Sequence, residues 1–263
     1  MIAAVVQARM GSSRLPGKTL ADIGGRPMLG RLVDRARLIP GVEQVVIATT
    51  VEPADKAILG FAEAEGLPAS AGSEQDVLDR IYRAASRFGV SVIVRVTPDC
   101  PMVDPEVSGR VLAEFHRLDG RVDYVSNVHP PTFPDGLDTE VFSSEALEVA
   151  WREARLASDR EHVTPFIWRQ PERFRLANVA NAGDLSALRW TVDTAADLDF
   201  ARAVYAALGG SGGVFRMDQV LRLLETRPEL RLLNAGQRRN EGLGRSLEAD
   251  RRDSMAVKGT AAP

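Results

Sequence analysis

Arg9, Arg14 and Lys18 fall on one stretch bearing glycine and serine, QARMGSSRLPGKTL at residues 7–20, directly behind the apolar run IAAVVQ. Three cations on such a backbone suit a polyphosphate: the side chains neutralise it, and Gly11 and Gly17 let main-chain amides approach closely. Five residues separate Gly11 from the Gly17-Lys18 pair, one too many for a Walker A loop, and the stretch contains no GxGxxG. The plainer alternative is a solvated basic loop.

Two carboxylates take matching positions. Asp99, in RVTPDCPMVDP at residues 95–105, lies just past an apolar run between Pro98 and Pro101. Asp193, in RWTVDTAADLDFA at residues 189–201, also follows an apolar run and precedes a helical pattern. Mg2+ binds through a few carboxylates and completes its shell with phosphate oxygens. Asp99 and Asp193 are therefore candidate ligands of one metal, with a turn or helix cap as the alternative at each. Asp104, directly before Pro105, reads as a cap. Asp197 and Asp199 form a DxD, but residues two apart on a helix do not share a face, so they read as first-turn helix acids. Cys100 reads as a small buried residue. A further polar set, Asp138 and Glu140 in FPDGLDTEVF with Arg160, Glu161 and His162 in SDREHVTPF, sits between apolar flanks and is a candidate lining for a sugar pocket. His162 alone is equally a structural residue.

The elements that must position these residues follow from periodicity. Short apolar runs at residues 2–7, 44–50 and 90–96 read as buried strands; amphipathic patterns at 28–39, 53–65, 74–88 and 104–118 read as helices. Strand and helix alternate with short connections, which predicts a parallel sheet with crossover helices and ligands beyond the carboxyl ends of the strands. The 8–25 and 97–104 loops both lie on that edge. The second half is less regular, with strands expected at 123–128, 139–142, 174–179 and 188–192, and helices at 144–155, 198–208 and 217–224. Residues 1–235 are expected to form one catalytic domain. Residues 236–263, rich in Arg, Gly, Glu and Ser, are expected to be a disordered polar tail whose deletion leaves activity intact.

Composition narrows the function. With 33 Lys+Arg against 36 Asp+Glu in 263 residues, the formal charge of -3 argues against a strongly basic nucleic-acid binder. A single cysteine excludes a disulfide framework and a cysteine-based zinc site. His116, His129 and His162 are far apart, and no apolar run approaches the ~20 residues of a membrane span. Met1 leads straight into IAAVV without a basic region, so a cytoplasmic protein without signal peptide is expected.

QARMGSSRLPGKTL, GSEQDVLDR at 72–80, RVTPDCPMVDP, GLDTEVF, DREHVTPFI and RWTVDTAADL follow one another in this order. Together they resemble the cytidylyltransferases over roughly residues 1–230, most strongly the spore-coat polysaccharide branch and more distantly the synthetases of CMP-KDO and CMP-sialic acids. The resemblance implies a nucleotide-diphospho-sugar transferase-like three-layer α/β fold with a mostly parallel central sheet. It implies transfer of CMP from CTP to a sugar with release of pyrophosphate, for surface polysaccharide synthesis, the sugar being an acid of the nonulosonic or KDO type. By the same resemblance Ala8, Arg9, Gly11, Ser12, Ser13 and Lys18 bind the nucleotide, and Arg9, Arg14 and Lys18 hold the triphosphate as catalytic cations. Asp99 and Asp193 bind Mg2+, Ser73, Asp76 and Arg80 lie near base and ribose, and the enzyme is a homodimer. Pro98 departs from the pattern, since the residue before the acid is often Gly in the family. Two other readings stand beside this one. A glycosyltransferase using a nucleotide-sugar needs a DxD at a strand end. A non-catalytic nucleotide-binding subunit has no need of Arg9, Arg14, Lys18, Asp99 and Asp193.

Overall fold

The computed structural model describes residues 1–209, 214–236, 239 and 241–259. Seven strands form one sheet: β1 (Ile2–Gln7), β2 (Gln44–Thr50), β3 (Ala69–Gly72), β4 (Val92–Arg95), β5 (Tyr124–Ser126), β6 (Glu140–Ser143) and β7 (Leu176–Asn178). Their spatial order is β3-β2-β1-β4-β6-β5-β7. β1 pairs in parallel with β2 and β4, β2 with β3, and β5 with β7; β6 runs antiparallel to β4 and β5. The mostly parallel α/β fold implied by the sequence is thus present, with one reversed strand inside it.

The pleat explains why the central strands read as continuous apolar runs. In β1, Ala4 and Val6 enter the cluster on one face, while Ala3 and Val5 enter the cluster on the other. The first face is covered by α1 (Met28–Ala36), α2 (Lys56–Ala64) and α4 (Pro105–Arg117), through residues such as Leu32, Ile58 and Val111. The second is covered by α3 (Val77–Arg87), α5 (Ser144–Glu153), α6 (Ala157–His162) and α7 (Pro165–Trp168), with Ile81, Leu147 and Ile167 inside. A third cluster joins α8 (Ala195–Leu208) and α9 (Met217–Thr226) to the loops around Ile23, Phe133 and Trp190. Caps close several helices where expected: Asp104 accepts from Glu106 N at 2.8 Å, and Ser143 from Ala146 N at 3.1 Å. No described helix is long and apolar enough to cross a membrane.

Two expectations from the sequence do not hold. Residues 188–192 are not a sheet strand. Arg189 makes only an isolated bridge with Asp135; Trp190 N donates to Asp135 O at 2.6 Å and Val192 N to Asp99 O at 2.7 Å. The apolar side chains there face the third cluster, so burial without sheet pairing produced the strand-like pattern. The expected disordered tail is also not observed as such: Glu241–Gly259 form α10, which packs on α6. Residues 237, 238, 240 and 260–263 of that tail lie outside the described residues.

Candidate active site

A cleft of about 440 Å³ opens at the carboxyl end of β1 and β4, between the loop after β1 and the segment leading into α8. The loop after β1 is held from several sides. Met10 N donates to Asp55 Oδ1 at 2.6 Å, Thr19 Oγ1 to Arg9 O at 2.6 Å, and Gly17 N to Met10 O at 3.2 Å. Gly17 has φ +74, a conformation that favours glycine. The amides of Gly11, Ser12, Ser13 and Arg14 have no protein partner among the described residues, and all four residues line the cleft.

Lys18 is the centre of the charge arrangement. Its Nζ lies 2.9 Å from Asp193 Oδ1 and 3.6 Å from Asp99 Oδ2, and donates to Val192 O at 2.8 Å. Burial pulls the Lys18 ammonium down, but the two carboxylates outweigh it and hold the group above its ordinary range. Asp193 also meets Arg14 Nη2 at 2.9 Å and Arg189 Nη2 at 2.9 Å. Burial pushes its carboxyl up, yet Lys18, Arg14 and Arg189 together keep it below the usual range. Asp99 is fixed through its main chain, its carbonyl accepting from Val192 N and from Thr191 Oγ1 at 3.1 Å.

Asp99 and Asp193 thus already share one cation. Mg2+ is held through a few carboxylates with phosphate oxygens completing its shell, and two carboxylates facing a single positive charge are of that chemical type. Among the described residues no group of three His, Cys, Asp or Glu side chains is arranged to hold a metal unaided. The fit therefore depends on a phosphate ligand.

Arg189 ties three carboxylates of the site together. Its side chain is only 8% exposed and reaches Asp135 at 3.0 Å, Asp193 at 2.9 Å and Asp197 at 3.0 Å. Burial, opposed by Arg239 and Arg189, raises the Asp135 carboxyl; burial, opposed by Arg239, raises that of Asp138, which pairs with Arg239. On the far side Glu140 pairs with Arg95 and accepts from Tyr124 Oη and Thr164 Oγ1, each at 2.6 Å. Burial pushes Glu140 up, but Arg95 and the two hydroxyls hold it below the ordinary carboxylate range. His129 and His162 are lowered by burial, so both imidazoles are neutral near pH 7. His129 stacks obliquely on Trp168, with ring centroids 4.5 Å apart, and both rings line the cleft. Burial pushes the Cys100 thiol well up, which leaves it inert.

The fold brings most of the sequence candidates to this one cleft. Ala8, Arg9, Gly11, Ser12, Ser13, Arg14, Lys18, Arg80, Asp99 and Asp193 line it, as do Asp138, Glu140, Glu161 and His162. Ser73, Asp76 and Arg160 do not. Asp76 caps α3 by accepting from Asp79 N at 2.9 Å and pairs with Arg160, which also donates to Trp151 O at 2.7 Å. Ser73 supports Asp76 N at 3.1 Å and gives its carbonyl to Arg80 at 2.9 Å. These three support the α3 terminus, and Arg80 alone of that group faces the cleft. Asp197 closes a capping box with Thr194 and binds Arg189, while Asp199 is exposed on α8 beside Arg202. The DxD therefore contributes no paired carboxylates to the cleft. Sequence reasoning missed Arg95, His129, Asp135, Trp168, Arg189, Glu241 and Arg245 as lining residues. Arg95, Asp135 and Arg189 lie in the three motifs that carry Asp99, Asp138 and Asp193, whereas His129, Trp168, Glu241 and Arg245 carry no local signal of a site.

The Cytidylyltransferase family model matches residues 3–205, and the chain belongs to that family. The chain is 32% identical over 232 residues to the spore coat polysaccharide biosynthesis protein SpsF of Bacillus subtilis, covering 86% of this chain and 94% of that one. It is 37% identical over 123 residues to the 3-deoxy-manno-octulosonate cytidylyltransferase of Nitratidesulfovibrio vulgaris, which is 45% of this chain and 47% of the relative. The solved structure of a cytidylyltransferase from Leptospira borgpetersenii superposes with a TM-score of 0.84 at 29% identity, covering 90% of this chain and 99% of that one.

Proposed function

We propose that this cleft transfers CMP from CTP to a hydroxyl of an acidic sugar of the KDO or nonulosonic type, releasing pyrophosphate, in the synthesis of a surface polysaccharide. The observation that carries the reading is the convergence of Arg14, Lys18 and Arg189 on Asp193, with Lys18 also beside Asp99, next to a loop of unpartnered amides. The similarity to a 3-deoxy-manno-octulosonate cytidylyltransferase supports the acidic sugar, and that to SpsF the polysaccharide.

In this reading the amides of residues 11–14 take the phosphates, with Arg9, Arg14 and Lys18 as their counter-charges. Arg80 and the neighbouring loop face the nucleoside, and the set around Asp138, Glu140, Glu161 and His162 faces the sugar. Asp99 and Asp193 would hold Mg2+, which when bound with the phosphates supplies neutralisation of their charge. The sugar oxygen forms a bond to the α-phosphorus while the bond from that phosphorus to the bridging oxygen breaks; the hydroxyl proton passes to water. Lys18, released from Asp193 by the incoming phosphates, is placed to stabilise the charge that grows on the leaving pyrophosphate. A homodimer in the cytoplasm completes the proposal.

Pyrophosphate release tests this reading, measured with CTP, UTP, GTP and ATP against acidic and neutral sugars, with and without Mg2+. Release with CTP, an acidic sugar and Mg2+ is the expected result. Consumption of a nucleotide-sugar without CTP would instead support a glycosyltransferase, and CTP binding without turnover a non-catalytic subunit.

A further inference from the structure

Helix α10 is joined to the cleft by a series of polar contacts. Ser246 Oγ lies 3.0 Å from His162 Nε2 and donates to Glu161 at 2.8 Å. Asp250 accepts from Ser158 N at 3.4 Å, and Glu241 lies 3.6 Å from Arg14. Just before the helix, Arg239 pairs with Asp138 and donates to Phe133 O at 3.1 Å. The first turns of α10 therefore join the phosphate loop to the sugar-facing set, and Gly242, Leu243 and Arg245 become part of the lining.

A carboxylated sugar entering this side meets Asp138, Glu140 and Glu161, so its own charge needs a cation not already committed. Arg14, Lys18, Arg95 and Arg189 each have a carboxylate within 4.0 Å, and Arg9 lies 3.7 Å from Glu74. Two cleft arginines, Arg80 and Arg245, have no carboxylate at ion-pair distance among the described residues. Arg80 is buried on α3, spends a guanidinium N–H on Ser73 O, and faces Arg9 and the nucleotide loop. Arg245 is exposed and adjoins Ser246, the residue that binds His162 and Glu161. A guanidinium matches a carboxylate through two parallel N–H donors.

We propose that α10 forms one wall of the sugar site and that Arg245 on it pairs with the carboxylate of the acidic sugar. The assignment rests on the acidic-sugar reading above. Steady-state pyrophosphate release tests it in the full-length protein with CTP, Mg2+ and KDO or N-acetylneuraminic acid, each compared with its carboxamide. Arg245→Ala is expected to raise the KM for the acid about tenfold to a hundredfold while leaving the KM for CTP and the carboxamide reaction unchanged. Arg245→Lys should recover part of the loss, and Arg245→Glu should deepen it. The thermal stabilisation by CTP should be the same in Arg245→Ala as in the wild type. An unchanged KM for the acid, an equal loss on acid and carboxamide, or a lost CTP shift would each overturn the assignment. Wild-type enzyme that turns over neutral sugars and no acid would remove the acidic-sugar reading itself, before any variant is compared.

Discussion

Lys18 is the side chain on which the two strand-end carboxylates meet, so its loss should be felt both in charge balance and in turnover. In Lys18→Ala, Asp193 retains Arg14 and Arg189, and Asp99 loses its cation. The fold should survive, because the loop after β1 is anchored independently through Asp55 and Thr19. Turnover should fall about 100- to 1000-fold, the scale for removing one preorganised stabiliser of developing charge; pyrophosphate release beside an unchanged circular dichroism spectrum checks it. At this scale the sequence was informative where residues cluster locally. Arg9, Arg14 and Lys18 sit on one loop, and Asp99 and Asp193 each follow an apolar run. Arg189 was illegible because its meaning lies in Asp135, 54 positions away, and in two acids of its own segment. Asp76 and Arg160 misled for the converse reason: each belongs to a segment that borders the cleft, and only their mutual pairing shows that they point elsewhere.

Among the elements, the reversed strand β6 and the loop before it are the joints that hold the two halves of the site. Glu140 on β6 ties together Arg95 of β4, Tyr124 of β5 and Thr164 ahead of α7. Its carboxyl is held below the ordinary range in the folded protein, so the unfolded chain binds the extra proton as acid is added. The stability it contributes is fully present above about pH 4.3 and is lost as pH falls through the folded value. Glu140→Gln leaves Arg95 buried without its partner, which should cost about 3–5 kcal/mol at pH 7. That is a drop in Tm on the order of 10 °C. The gap to the wild type should narrow as melts are taken below about pH 4; a gap independent of pH would refute it. Gly136, in the preceding loop, has φ +108, and a Cβ there would lie 2.7 Å from Thr191 N and Trp190 C. Gly136→Ala should therefore destabilise by about 3 kcal/mol from strained backbone and overpacking. It should also reduce turnover by shifting Asp135 away from Arg189, a pairing that differential scanning calorimetry and activity together can follow. The parallel half of the sheet was legible because its strands are buried on both faces. The 188–192 segment was not, since burial against a third cluster mimics a strand without any ladder.

For the molecule as a whole, the C-terminal helix α10 stands apart from the apolar clusters. Among the described residues, none of the three apolar clusters includes a residue beyond Leu230. α10 reaches the rest through hydrogen bonds and ion pairs to Ser158, Glu161, His162 and Arg14. Its polar composition is what made a disordered tail the natural expectation, because no apolar stripe announces a docked helix. Exposed and half-exposed polar contacts add little to global stability, whereas Glu241, Gly242, Leu243 and Arg245 form part of the cleft surface. A chain ended after Gly236 should accordingly melt within a few degrees of the full-length protein, at about 2–4 °C per kcal/mol lost. Its kcat/KM for the sugar should nevertheless fall at least about tenfold, the effect of one lost charge-assisted contact, through a rise in the KM for the sugar. This reverses the expectation that the segment is dispensable. Melting curves and initial rates on the same preparation decide between them: a truncated enzyme with full activity would return α10 to the status of an appendage, and one that fails to fold would show that its polar contacts carry more stability than their exposure implies.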